Sequence, residues 1–217
     1  MPLNAARRRM MVDTQVRPSD VTSFPIIDAM LNVPRERFVP AGLRDAAYAE
    51  EDLPLAPGRA ILAPRTFAKM LGELELRPDS AVLEIASGLG YGSAVLARLA
   101  GFVAAVEDDA DLAAQSQETL SELGIDNVAV MTGPLAQGAA ESGPYDAIII
   151  EGAIERFPEG LDAQLRDGGR VAAIFIEGAL GIVRIGYKHH GSISWRYAFN
   201  AGAPALPGFD AAKAFTL

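Results

Sequence analysis

Two acidic residues mark the centre of this chain chemically. Glu84 lies in Ala81-Val-Leu-Glu-Ile85, and Glu107 closes Val103-Ala-Ala-Val-Glu107. Between them the sequence runs Ala86-Ser-Gly-Leu-Gly-Tyr91 and then Ser93-Ala-Val-Leu-Ala-Arg-Leu-Ala100 with helical spacing. A strand, a tight turn and a helix in that order gather backbone N–H groups and a helix N-terminus around a small ligand. A carboxylate ending the next strand is where a nucleotide-binding βαβ unit reads ribose hydroxyls. The pattern points to an adenosyl cofactor, with Ser87, Gly88 and Gly90 at its backbone side and Glu107 on its sugar. Tyr91 follows the turn and suits packing or ligand contact equally. Because the turn is not G-x-G-x-x-G, a nicotinamide-dependent oxidoreductase is the weaker reading.

Other chemistries are poorly supplied. The chain has no cysteine, hence no disulfide, thiolate nucleophile or zinc–thiolate site. Its two histidines, His189 and His190, are adjacent in a predicted turn and are expected in solvent, so no metal site is expected. A net charge of −9 argues against sequence-independent nucleic-acid binding, although Arg7, Arg8, Arg9 and Arg17 leave room for a local basic patch. No apolar run approaches the roughly 20 residues of a membrane span. A cytoplasmic location is the default expectation, and the oligomeric state is left open.

The elements that must position these residues alternate along the chain. Helical character is expected from about 4 to 39, with Ser19 or Asp20 capping a helix through Met30 and Pro34 interrupting it. Residues 41–64, punctuated by Gly42, Pro54, Pro57, Gly58 and Pro64, are expected as a long loop, either a lid or substrate segment or a packed connector. A helix over 66–74 carries Phe67, Met70, Leu71 and Leu74 on one side. Strands are expected at 81–85, 102–107, 128–131, 146–150 and 170–176, with helices at 92–100, 110–123 and 160–165. Asp108 and Asp109 are expected to cap the second of these helices. An antiparallel pair, 181–187 and 194–199, closes the sheet, with Trp195 packed at its edge. The expected fold is α/β: a doubly wound, mostly parallel, Rossmann-like sheet with an antiparallel C-terminal edge and N-terminal helices. Residues 1–64 would pack on a cofactor-binding 65–217 as one compact unit.

From about Met30 to Phe199 the chain resembles the protein-L-isoaspartate O-methyltransferase family of S-adenosylmethionine-dependent enzymes. The resemblance is carried by Val33-Pro-Arg-Glu-Arg-Phe-Val-Pro40, Ala47-Tyr48, Leu53-Pro54, Pro64, Ala68, Met70 and Val82-Leu-Glu-Ile85. It continues through Gly88, Gly90-Tyr91, Ala94-Val-Leu-Ala97, Val106-Glu107, Tyr145-Asp-Ala-Ile148, Pro158, Leu161, Gln164-Leu165 and Gly168-Gly169. It implies a protein-repair activity: methylation of an isoaspartyl α-carboxylate in a protein or peptide, leaving S-adenosylhomocysteine. A carboxylate is already nucleophilic and a sulfonium leaves readily, so alignment in a dry pocket suffices and no catalytic base is expected. The cofactor set implied is Glu84, Ala86, Ser87, Gly88, Gly90, Tyr91, Glu107, Gly133 and Pro134. The substrate set is Glu50, Leu53, Leu62, Ala63 and Glu151.

The chain departs from the family at both surfaces. Leu62-Ala63 replaces a Ser-Gln pair and removes a hydroxyl, while Glu50 stands for an aspartate. Pro57 replaces a histidine and Ala60 a threonine. Ala86 replaces a glycine and crowds a turn where glycine permits unusual backbone angles. Leu89 replaces a small residue. Pro134 replaces an aspartate that reads adenine, and Glu151 stands where relatives carry a small uncharged residue. Two readings follow: a divergent methyltransferase, or a catalytically impaired relative that keeps the fold as a binding module.

Overall fold

In the computed structural model, which describes residues 2–211, the elements run as follows. Helix α1 (Pro2–Met11) continues through a π turn (Val12–Val16) and a 3₁₀ turn (Arg17–Ser19) before α2 (Phe24–Asn32). A small hairpin of β1 (Leu53–Ala56) and β2 (Arg59–Ile61) precedes α3 (Pro64–Leu74). Then come β3 (Ala81–Ile85), α4 (Tyr91–Leu96), β4 (Phe102–Glu107), α5 (Ala110–Glu122) and β5 (Val128–Thr132). The chain continues with β6 (Tyr145–Ile154), α6 (Glu159–Asp162), β7 (Leu165–Glu177), β8 (Leu180–His189) and β9 (Ser192–Asn200).

Seven strands form one sheet in the order β5-β4-β3-β6-β7-β8-β9. The first five run parallel, and β8 and β9 are antiparallel, giving the expected doubly wound α/β sheet. Chain direction across the sheet reverses between β3 and β6. In such sheets ligands bind outside the carboxyl ends of the strands at this switch point. Alternate residues of each strand serve opposite faces. Val82, Val103, Ile149 and Ile174 face a layer containing α1 to α4, whereas Leu83, Val106, Ile148 and Val171 face Leu135, Leu161 and Phe209. Burial on both faces explains the unbroken Ile148-Ile-Ile150 run. Trp195 on the edge strand β9 packs between Phe157 and Phe175, with ring centroids 5.4 and 4.9 Å away.

Several boundaries differ from expectation for identifiable reasons. Neither Ser19 nor Asp20 caps a helix: Asp20 takes φ 65° and ends the preceding 3₁₀ turn, and Ser23 starts α2. Pro25 sits in the first turn of α2, where its missing N–H costs nothing. Residues 41–64 are not a plain loop but a 3₁₀ segment (Ala41–Ala46) followed by the β1–β2 hairpin, which turns through Pro57 and a left-handed Gly58 (φ 72°). The helix expected over 160–165 stops at Asp162, because Leu165 already pairs with Tyr145 in β7. Asp167-Gly-Gly169 then forms a bulge within β7 rather than a helix end. The first of these strands' helices is also shorter than 92–100, α4 ending at Leu96.

Gln164 shows how a single side chain ties the loops beneath β6. Its Oε1 accepts the Ala139 N–H at 2.9 Å, and its Nε2 donates to the carbonyls of Gln137 and Gly160 at 2.7 and 2.8 Å. Gln164→Ala leaves the buried Ala139 amide without a partner. The expected loss is about 2–3 kcal/mol, measured as a lowered midpoint in urea without change of slope.

Candidate active site

Glu107 ends β4 with its side chain fully buried. Its Oε2 accepts the Gly88 N–H at 2.8 Å, and its Oε1 accepts the N–H groups of Asp108 and Asp109 at 3.0 and 3.2 Å. The carboxylate therefore stitches the end of β4 to the turn after β3. Asp109 caps α5 as expected, accepting from the N–H groups of Asp111 and Leu112, whereas Asp108 does not. Ala86 takes φ 63°, the left-handed conformation in which a Cβ is costly, and Gly88 and Gly90 follow at 55° and 89°.

Glu107, the residue expected at the ribose, also has a side-chain partner. Arg59, from β2, donates through Nε to Glu107 Oε1 at 2.9 Å, and its Nη2 binds the Asp108 carboxylate. Only 5% of the Arg59 side chain is exposed, which makes this a buried ion pair rather than a rim contact. Leu55, from β1, lies so close over Gly88 that a Cβ there would stand 2.6 Å from its Cδ1. All of Ala86 to Gly90 is buried. The β1–β2 hairpin thus lies directly against the turn after β3 in this conformation.

A second acidic centre lies at the ends of β3 and β6. Glu84 and Glu151 are both buried, and Ser93 donates to Glu84 Oε2. Their Oε1 atoms, which have no other protein partner, converge on the space a Cβ on Gly92 would occupy. Two buried carboxylates so placed cannot both ionise; a shared proton satisfies both orphaned oxygens. Burial and the neighbouring Glu151 push Glu84 well above the usual glutamate range. Burial likewise pushes Glu151 up to about 7. Glycine inside a helix is ordinarily unfavourable; here Gly92 makes room for the pair.

Beneath the hairpin, Arg35 is completely buried. It donates to the carbonyls of Ala47 and Leu62 at 2.8 and 2.9 Å, and its guanidinium carbon sits 4.6 Å from the Tyr91 ring centroid. Tyr91 also packs against Phe38 and Phe67, so its ring belongs to the core. The residues expected on the substrate side differ in exposure. Leu53 and Leu62 are buried, and Glu50 is exposed to solvent. The carboxylate that turns inward is Asp52, which accepts the Ala63 N–H at 2.6 Å. Gly133 donates its N–H to the Glu107 carbonyl at 3.0 Å, and Pro134 is exposed as it opens a 3₁₀ turn. Arg59, Arg35, Asp52 and Ser93 were not identifiable as site residues from their local sequence. Among the described residues, no group of three or more His, Cys, Asp or Glu is placed to hold a metal ion.

Residues 6–197 match the family model for protein-L-isoaspartate(D-aspartate) O-methyltransferase. Protein-L-isoaspartate O-methyltransferase 2 of Anaeromyxobacter sp. (strain Fw109-5) is 42% identical over 178 residues, covering 82% of this chain and 72% of its own. The protein-L-isoaspartate O-methyltransferase of Koribacter versatilis (strain Ellin345) is 38% identical over 167 residues, covering 77% and 75%. A solved protein-L-isoaspartate O-methyltransferase superposes with a TM-score of 0.84 at 25% identity, over 93% of this chain and 66% of that one. The fold is shared with a Plasmodium falciparum structure in complex with S-adenosyl-L-homocysteine, described as a putative member, at a TM-score of 0.81 and 22% identity over 92% and 97%.

The carboxylate pair makes stability depend on pH. Both groups hold protons more tightly folded than unfolded, so folding is favoured most below the ordinary glutamate value of 4.5 and weakens as pH rises through about 7. Between pH 5 and 8 the thermal midpoint should fall by several degrees, and Glu151→Gln should flatten that slope. Gly92→Ala drives a methyl into both carboxylates and should cost about 2–3 kcal/mol. Adding Glu151→Ala to that variant should recover stability, a coupling that a double-mutant cycle measures directly.

Proposed function

The chain belongs to the protein-L-isoaspartate(D-aspartate) O-methyltransferase family, and on that premise we propose which of its residues serve the reaction. It is an S-adenosylmethionine-dependent methyltransferase acting on the free α-carboxylate of isoaspartyl residues in proteins or peptides. The observation that carries this reading is the family match across 6–197, together with a Glu107 carboxylate held at the turn after β3. When bound, S-adenosylmethionine supplies a methyl group on a positively charged sulfonium. An ionised carboxylate acceptor needs no base, so the chain's task is to align the acceptor and exclude water. We assign the cofactor side to Glu84, Ala86, Ser87, Gly88, Gly90 and Glu107. Tyr91 supports the turn from the core, and Gly133-Pro134 borders the rim.

On the acceptor side we assign Asp52, Ala63 and Glu151, with Arg35 bracing the segment through the Leu62 carbonyl. Asp52 is raised by burial and eased back by the Ala63 N–H and Arg35, which keeps it a firm anchor for that segment. Residues 1–64 then supply most of the acceptor side, joined by Glu151, and 65–217 the cofactor side of one unit. No helix among the described residues is long and apolar enough to cross a membrane. We take the enzyme as cytoplasmic, and its net charge of −9 argues against sequence-independent nucleic-acid binding.

Incubating the purified chain with methyl-labelled S-adenosylmethionine and an isoaspartyl peptide should give a base-labile methyl ester. The matching peptide with ordinary aspartate should give none. Equal labelling of both peptides would remove the isoaspartyl assignment, and no labelling of either at millimolar cofactor would remove the enzyme reading.

A further inference from the structure

We propose that the β1–β2 hairpin is a latch that shuts the cofactor crevice, with Arg59 taking the place of the ribose on Glu107. The inference rests on the methyltransferase reading and extends it to the control of that site. Two side chains make the closure: Arg59 on Glu107, and Leu55 on the Gly88 backbone. They come from opposite strands of one hairpin, so a single motion removes both.

The hairpin is built for such a motion. Its pairing spans Leu53 with Ile61, Pro54 with Ala60 and Ala56 with Arg59, with a register shift between Pro54 and Ala56. Leu53 and Ile61 are buried and Arg35 grips the Leu62 carbonyl, which fixes the base, while Pro57 and Gly58 at the tip are exposed. Beside the tip lies an open cavity of about 390 Å³, bordered by Pro57, Arg59, Asp108, Asp109, Leu206 and Pro207.

Electrostatics permit exchange as well. If Arg59 leaves, Glu107 still accepts three backbone N–H groups, so its charge is not stranded. The second partner that holds Arg59 in the closed form, Asp108, is about one-third exposed at the rim. Ser87 Oγ, within the turn itself, is buried without a protein hydrogen-bond partner and is a polar group a ligand can use. A cofactor that binds only the open form has its apparent affinity reduced by the open fraction.

Calorimetric titration with S-adenosylhomocysteine tests the latch on the native chain, Arg59→Ala and Asp108→Asn. Arg59→Ala should bind at least tenfold more tightly than the native chain, with Asp108→Asn between them. Equal or weaker binding by Arg59→Ala overturns the proposal and makes Arg59 a neutral or supporting residue. Hydrogen exchange of residues 53–61 gives a second readout that needs no ligand. Exchange there should accelerate in Arg59→Ala while β3 and β6 stay protected; unchanged exchange overturns the latch. If none of the three proteins binds S-adenosylhomocysteine, the methyltransferase reading falls, and exchange alone decides whether the hairpin is held by Arg59.

Discussion

The carboxylate of Glu107 is the contact on which the centre of this molecule turns. It receives N–H groups from Gly88, Asp108 and Asp109 and a guanidinium from β2, so four donors meet at two oxygen atoms. A buried carboxylate without such partners would be prohibitively costly. Three of its partners are backbone and stay with the sheet; the fourth is a side chain on a hairpin. That division separates a permanent scaffold from a replaceable occupant.

The Glu84–Glu151 pair follows a different logic. Here the charge is removed rather than matched: two acids at the switch point of the sheet hold a proton between them, over a glycine with no Cβ. Arg35 is close enough to influence Glu151 but is committed to the carbonyls of Ala47 and Leu62. The two acidic centres therefore differ in kind, one surrounded by hydrogen-bond donors, the other protonated by crowding. A site designed to handle a cationic donor and an anionic acceptor can use both.

How much of this was legible in the sequence depended on range. The β3-turn-α4-β4 unit was readable because strands buried on both faces appear as apolar runs, and the Asp109 cap lies next to the helix it serves. The β1–β2 hairpin reads as loop in the sequence, since three or four residues per strand are too few to display alternation. The Arg59–Glu107 pair joins positions 48 residues apart, and nothing beside either residue announces the other. The resemblance points to Glu50, yet the chain turns into β1 at Leu53 and points Asp52, not Glu50, inward. Nothing beside Gly92 in the sequence announces the carboxylates it accommodates, which arrive from β3 and β6.

The position of the single tryptophan has a practical corollary. Trp195 sits on β9, four strands away from β3, which at ordinary inter-strand spacing is roughly 19 Å. Wedged against Phe157 and Phe175, its indole senses the integrity of the sheet's far margin. Its emission should therefore follow denaturation faithfully while staying blind to events over the glycine turn, so an unchanged spectrum on adding a nucleoside is no sign that the nucleoside has been refused.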